Sequence, residues 1–331
     1  MSRTGNNKDY ENKICFHIQT HQPHFNFTAN LIDSLYEKTN IVELGIKIYC
    51  FFDNEDSIST FNKNFPIQCQ KINCINILEI LHSKLDDKII SEVEPFNLKT
   101  CEKLNFQWKH KGDAHYAGIK RSYGLLHLNN LGYEFVWCLD TESLVLDKVD
   151  LVEIFDANSK PILYVGPNCK KEYFKNSKIL FGWDENYDNI SPRQNDFWII
   201  STKYFSNMIK ALTEKYKKPI SYYMRGAEIF LYECYLYHIY KKYNEDIEVI
   251  KLEDGGLLGN TMIRRAIENE SINLKEFANE LNTLYFNKTL SYRGDILKWP
   301  EFKTKRGKEL LKLLNIKIAV SNWQGNEGWI R

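Results

Sequence analysis

Charge of one sign is what this sequence most lacks: 44 Lys and Arg stand against 43 Asp and Glu, for a formal net charge of +1. A chain so balanced has no broad field to draw it onto nucleic acid or an anionic membrane, so neither partner is expected. No stretch approaches the roughly eighteen consecutive apolar residues of a membrane-spanning helix, so no span is expected. The opening MSRTGNNKDYENK is polar with no apolar run behind it, which argues against a secretory leader and for a cytoplasmic protein. The eight cysteines, at 15, 50, 69, 74, 101, 138, 169 and 234, contain no CxxC pair and lie mostly inside apolar runs. They read as reduced core thiols, not as disulfides or zinc ligands, and the sequons at Asn26 and Asn287 then read as chance matches. Internal repeats, low-complexity tracts and linkers are also missing. One domain over residues 1–250 with an extension over 251–331 packed on it is the simplest organisation.

What is present is an apolar content of 43%, ample for a core in 331 residues, and a recurring pattern of strand and helix. Lys13 to Thr20 reads as a first strand, followed by a His, Gln and Pro loop to His24. A helix is predicted over Thr28–Lys38 from the spacing of Leu31, Ile32, Leu35 and Tyr36, and Gly45–Phe52 reads as a second strand that stops at Asp53-Asn54-Glu55-Asp56. Cys74–Lys84 reads as a helix, while Leu98–Gly112 takes no assignment. Tyr116, Ile119, Tyr123, Leu125 and Leu126 form a helical stripe over Tyr116–Asn130, with a glycine stop at Gly132. Strands are predicted at Pro161–Gly166, Asp196–Thr202 and Asp246–Leu252, with a loop-rich stretch of Asn, Asp and Lys up to Gln194. Helices are predicted at Lys203–Lys215, Tyr222–Tyr243 and Leu274–Leu284. Strands alternating with helices imply an α/β fold around a mostly parallel sheet, whose ligands collect beyond the carboxyl ends of the strands. Those ends are Thr20 to His24, Asp53 to Asp56 and Asp140 to Glu142.

The segment GYEFVWCLDTESLVLDKVDL, from Gly132 to Leu151, carries the chemistry. A strongly apolar strand runs into Asp140-Thr141-Glu142, and strand alternation aims two carboxylates one residue apart the same way. Convergent oxygens of that kind suit a hard divalent cation, Mg²⁺ or Mn²⁺. Thr20, with His21, Gln22 and His24 beside it, and Asp53 stand at the ends of the first two strands. The spacings of His17, His21 and His24 invite a zinc site, but no cysteine or acid at ligand spacing completes it.

The order of these parts, a helix bearing Lys120 and Arg121, then the strand Phe135 to Leu139, then Asp140-Thr141-Glu142, resembles the GT-A fold of nucleotide-sugar-dependent glycosyltransferases. The resemblance extends loosely from Lys13 to about Tyr240. It implies a Rossmann-like, mostly parallel sheet flanked by helices. It also implies a soluble enzyme that moves a sugar from a nucleoside-diphosphate sugar, UDP-sugar being commonest, to a glycan, lipid or protein hydroxyl. In that family an Asp-x-Asp motif binds the metal that bridges the diphosphate; Asp140 and Glu142 match it, with Glu in place of the second Asp. The resemblance further implies that Thr20, Asp53, Lys120, Arg121 and Asp140 contact the donor. The string Arg225-Gly226-Ala227-Glu228 looks like the element that supplies the general base of inverting enzymes, making Glu228 the catalytic residue; a helix cap is its other reading. The polar loop Lys109–Asp113 suits a flap over the donor or a plain solvent loop. Two other classes stand beside this one: a haloacid-dehalogenase-like phosphatase, which needs Asp-x-Asp, and a catalytically silent nucleotide- or carbohydrate-binding protein.

Overall fold

The structure, a computed structural model, describes residues 10–84, 114–157, 159–166, 171–187, 191–193, 199–217, 231–251, 266–281, 291–293, 303–314 and 318–320. Its centre is a five-stranded sheet. Strand β1 (Ile14–Gln19) leads through a short 3₁₀ turn at Gln22–His24 into helix α1 (Phe25–Lys38) and then β2 (Lys47–Phe52). Next come α2 (Glu55–Asn64), the single-turn α3 (Pro66–Cys69), β3 (Asn73–Asn76) and α4 (Ile77–Lys84). Helix α5 (Ala114–Asn130) precedes β4 (Phe135–Leu139), β5 (Leu144–Val145) and α6 (Leu151–Ala157). The rest comprises β6 (Ile162–Gly166), α7 (Lys171–Phe181), β7 (Ser191–Arg193), β8 (Ile199–Ser201), α8 (Thr202–Tyr216), α9 (Leu231–Tyr243), β9 (Glu248–Lys251), α10 (Leu274–Leu281), β10 (Ser291–Arg293), α11 (Lys305–Leu313) and β11 (Ile318–Val320).

The central order is β3-β2-β1-β4-β8, parallel except for β8, which runs antiparallel to β4. The chain lays down β2 and β3 on one side of β1 and then crosses over to place β4 on the other. That reversal makes the carboxyl ends of β1 and β4 a topological switch point, the usual ligand position in such sheets. The fold is therefore the α/β class expected, with helices on both faces of a mostly parallel sheet.

Alternation along the strands builds two cores. Cys15, Tyr49, Phe51, Val136 and Cys138 face α5 and α8, while Phe16, Ile18, Ile48, Cys50, Phe52, Trp137 and Leu139 face α1 and α6. Burying both faces explains why these strands read as continuous apolar runs. Each fully buried Phe, Ile or Leu contributes roughly 1.5–3 kcal/mol relative to exposure. A third core gathers Leu144 with Ala266, Ile267, Leu274, Leu310 and Leu311, and β5 also pairs with β11 in a small sheet β10-β11-β5. A second small sheet has the order β7-β6-β9. Among the described residues no helix is long and apolar enough to cross a membrane.

Several expectations shift. The helix predicted over Cys74–Lys84 begins only at Ile77, because Asn73 to Asn76 pair with Tyr49 to Phe52 as an edge strand. Ladder hydrogen bonds there prevail over helical spacing. Asn54 caps α2 by accepting a hydrogen bond from the Ser57 amide (2.9 Å), so the acidic string after β2 is a helix start with Glu55 and Asp56 in its first turn. The loop-rich stretch before Gln194 contains α7. Gly132 does end α5: at φ 95° it closes a Schellman motif, in which the Tyr133 amide reaches the Leu128 carbonyl and the Gly132 amide the Asn129 carbonyl. Cys15, Cys50, Cys138 and Cys234 are buried free thiols, and Cys69 and Cys74 are half-buried free thiols.

Candidate functional site

Helix α5 is set unusually close to the sheet. A Cβ added at Gly124 would stand 2.6 Å from His17 Nε2 and 3.0 Å from Phe51 Cζ, so only glycine permits this approach. Beneath it His17 stacks on Phe51 (4.5 Å between centroids) and its Nε2 lies 3.3 Å from the Lys120 carbonyl. Burial, then the positive charge of Arg121, lowers its pKa to about 3, so the ring is neutral at pH 7.

The close approach brings two consecutive cations of α5 over the strand ends. Successive residues on a helix diverge by about 100°, so neighbours reach different strands. The Lys120 ammonium, 3% exposed, donates to the Thr20 carbonyl and to Asp53 Oδ1, both at 2.7 Å. It thereby ties the end of β1 to the end of β2. Arg121 Nη2 lies 3.5 Å from Asp140 Oδ1 at the end of β4. Four of the predicted site residues, Asp53, Lys120, Arg121 and Asp140, thus form two ion pairs along one edge of the sheet. Thr20 is fully buried, and its hydroxyl bonds to that of Thr28 in α1 (2.6 Å). It enters the arrangement through its carbonyl.

The two acids do not share the strand-like facing expected of them. Strand β4 stops at Leu139, and Asp140 to Ser143 form a turn closed by the Ser143 amide on the Asp140 carbonyl (2.9 Å). Period-two alternation ends where the ladder ends. Asp140 meets Arg121, whereas Glu142 turns inward and accepts from the Thr141 hydroxyl at Oε2 (3.0 Å). His24 Nδ1 stands 2.9 Å from that hydroxyl and 3.4 Å from Glu142 Oε1. With Glu142 ionised, His24 donates through Nδ1 to Thr141. Burial, then the neighbouring His21, lowers the pKa of His24 to about 4. His24 and Thr141 are the residues to which sequence reasoning gave no role of their own in holding Glu142; their only signal was their place beyond the ends of β1 and β4.

Among the described residues no group of three or more His, Cys, Asp or Glu side chains converges as an all-protein metal cage would. His17 lies against Phe51 and the Lys120 carbonyl, while the rings of His21 and His24 meet each other at 4.1 Å between centroids. A Mg²⁺-type ion needs less, since it commonly takes one or two carboxylates and completes its shell with phosphate and water oxygens. Asp140 and Glu142 carry the carboxylate oxygens such an ion takes, held in this structure by Arg121 and Thr141 respectively. Burial, then the negative charge of Asp140, raises the Glu142 pKa to about 7, a repulsion that a cation between the two would relieve. Glu228 lies outside the described residues.

No protein-family model matches the chain, and no curated protein matches it either. Solved structures with a similar course include mouse xyloside xylosyltransferase 1 in its apo form, 11% identical over 72% of this chain and 85% of that one, TM-score 0.38. The mannosyltransferase Ktr4p of S. cerevisiae is 12% identical over 65% of this chain, which spans 63% of its length, TM-score 0.38. The galactosyltransferase LgtC, in complex with donor and acceptor sugar analogues, is 11% identical over 93% of this chain and 87% of that one, TM-score 0.34.

Proposed function

We propose that this protein is a glycosyltransferase that moves a sugar from a nucleoside-diphosphate sugar, a UDP-sugar in the first instance, to an acceptor hydroxyl with the assistance of Mn²⁺ or Mg²⁺. The observation that carries the reading is the convergence, at the carboxyl edge of a parallel sheet, of two ion pairs held by one helix and an acidic turn at the switch point between β1 and β4. Phosphate-rich ligands and their metal ions are what such an edge accommodates. The resemblance carried by Asp140-Thr141-Glu142 narrows the ligand to a nucleotide sugar.

Each residue has a part in this reading. Asp140 and Glu142 hold the divalent cation, which when bound supplies positive charge against the departing diphosphate. Lys120 fixes Asp53 and the Thr20 carbonyl, so that the floor for the nucleoside keeps its shape. Arg121 adds a second positive charge beside Asp140. Glu228 takes the proton from the attacking acceptor hydroxyl at its carboxylate, as an inverting displacement requires. Residues 251–331 form an extension on the catalytic domain of residues 1–250.

The test is a screen of UDP-, GDP- and CMP-sugars by thermal shift, with and without Mn²⁺, on the native chain and on Asp140→Ala. A specific ligand raises the melting temperature by mass action. We expect one nucleotide sugar to do so in the presence of Mn²⁺, slow release of free nucleotide from it, and loss of both in a normally folded Asp140→Ala variant. Turnover of a phosphomonoester with no nucleotide-sugar response points instead to a phosphatase, and a shift with no product to a silent binder.

A further inference from the structure

At the β3 edge of the sheet two thiols face each other. Cys69, the last residue of α3, and Cys74, in edge strand β3, have their sulfurs 3.6 Å apart, and both are half-buried. Disulfide closure needs an S–S distance of about 2 Å, so the two sulfurs start within about 1.6 Å of it. The turn between them is pinned to α1: Lys71 Nζ contacts Asp33 Oδ1 at 2.8 Å, Gln68 Nε2 donates to Asp33 Oδ2 at 2.7 Å, and the Tyr36 hydroxyl donates to the Lys71 carbonyl at 2.6 Å. The Ile72 amide also returns to the Cys69 carbonyl (3.4 Å). Neither thiol is thus left to find the other by chance. A third thiol, Cys50, lies opposite Cys74 in the β2–β3 register but is fully buried.

We propose that Cys69 and Cys74 are a reversible dithiol–disulfide site, oxidised by a small disulfide such as glutathione disulfide. The Cys69 sulfur attacks one sulfur of the oxidant and releases one glutathione thiol. The Cys74 sulfur then displaces the second glutathione from Cys69, leaving the internal bridge. Two protein thiols lose their protons and two electrons to the oxidant, which leaves as two reduced thiols. Burial, then the hydrogen bond with Cys69, raises the Cys74 pKa to about 12, which keeps its thiolate scarce and makes closure of the bridge the slower step. The bridge staples α3 to β3 and fastens the outer strand of the central sheet.

Trypsin cleavage after Lys63, Lys71 and Lys84 places the two cysteines on separate peptides, residues 64–71 and 72–84, so the bridge is directly readable. The full chain is incubated with glutathione disulfide, acid-quenched, alkylated and digested without reduction. The expected product is peptide 64–71 joined to 72–84, reversed by dithiothreitol, with slower amide exchange in β3 and an unchanged or higher melting temperature. Cys69→Ser should abolish the joined peptides, and Cys74→Ser should accumulate glutathione on Cys69. A stable glutathione adduct on Cys69 of the native chain overturns the proposal. So does a Cys50–Cys74 bridge, or alkylated Cys69 and Cys74 at oxidant levels that cross-link the urea-unfolded chain. A lowered melting temperature of the bridged form overturns it as well.

Discussion

Lys120 illustrates how one residue can hold two strands together. Its ammonium has three hydrogens to donate, and the Thr20 carbonyl and Asp53 take two of them in a nearly dry setting. Lys120→Met keeps most of the apolar stem but leaves Asp53 unpaired and a buried carbonyl unsatisfied. We expect a loss of about 2–3 kcal/mol in urea unfolding, partly recovered when Asp53→Asn is added. No recovery in the double variant would mean that the pair contributes through packing alone. Glu228 belongs to the same scale but to chemistry. Glu228→Gln is expected to lower kcat by about 10²–10⁴-fold while donor affinity, read by calorimetry, stays nearly constant. Near-normal turnover would reduce Glu228 to a helix cap.

At the scale of elements, α5 and the strands beneath it act as one unit. Gly124 sits over a histidine that cannot move aside, since His17 is itself buried and stacked. Gly124→Ala therefore gains helix propensity and loses close packing, and overpacking of this kind costs about 1–3 kcal/mol. The helix must lift, which draws Lys120 from Asp53 and Arg121 from Asp140. The expected result is a lower melting temperature together with weaker nucleotide binding, although Gly124 touches neither ion pair. Retained binding in a destabilised Gly124→Ala variant would show that the cations follow their strands independently of the helix height. The cysteine pair in α3 and β3 contacts neither ion pair, and its oxidation is expected to leave nucleotide binding as it was.

For the molecule as a whole, the buried His17 and the half-buried His24 contribute to the response to acid. His17 is lowered from 6.5 to about 3 and His24 from 6.5 to about 4, so between those values the unfolded chain binds protons that the folded chain refuses. Stability from both is complete above about pH 6.5 and is lost as the pH falls. Glu142, raised from 4.5 to about 7, acts in the opposite sense and offsets one of them between those values. Each proton is worth up to about 1.4 kcal/mol per pH unit. Replacing His17 by Phe, which cannot be charged, should flatten the stability profile between pH 6 and about 4.5 by roughly that slope relative to the native chain. Chemical denaturation at several pH values reads this directly; parallel profiles would remove His17 from the acid response.

The apolar central strands, their carboxyl ends and the glycine that closes α5 were legible in the chain because they depend on local pattern. Apolar runs at Ile14–Gln19, Lys47–Phe52 and Phe135–Leu139 announce buried parallel strands, and Gly132 marks the end of α5 by a conformation few other residues adopt. The same pattern placed Asp53, Lys120, Arg121 and Asp140 near strand ends, but it left their pairing open, since 67 residues separate Lys120 from Asp53. It also misread Asn73 to Asn76, whose strand exists only through its partner β2, and the facing of Glu142, whose orientation is set by His24 from another element. Local spacing dictates which residues can form an element. Which side chains meet across 50 or 100 positions depends on how elements pack, as where Gly124 lets α5 lie close enough to β1 for Lys120 to reach Thr20 and Asp53.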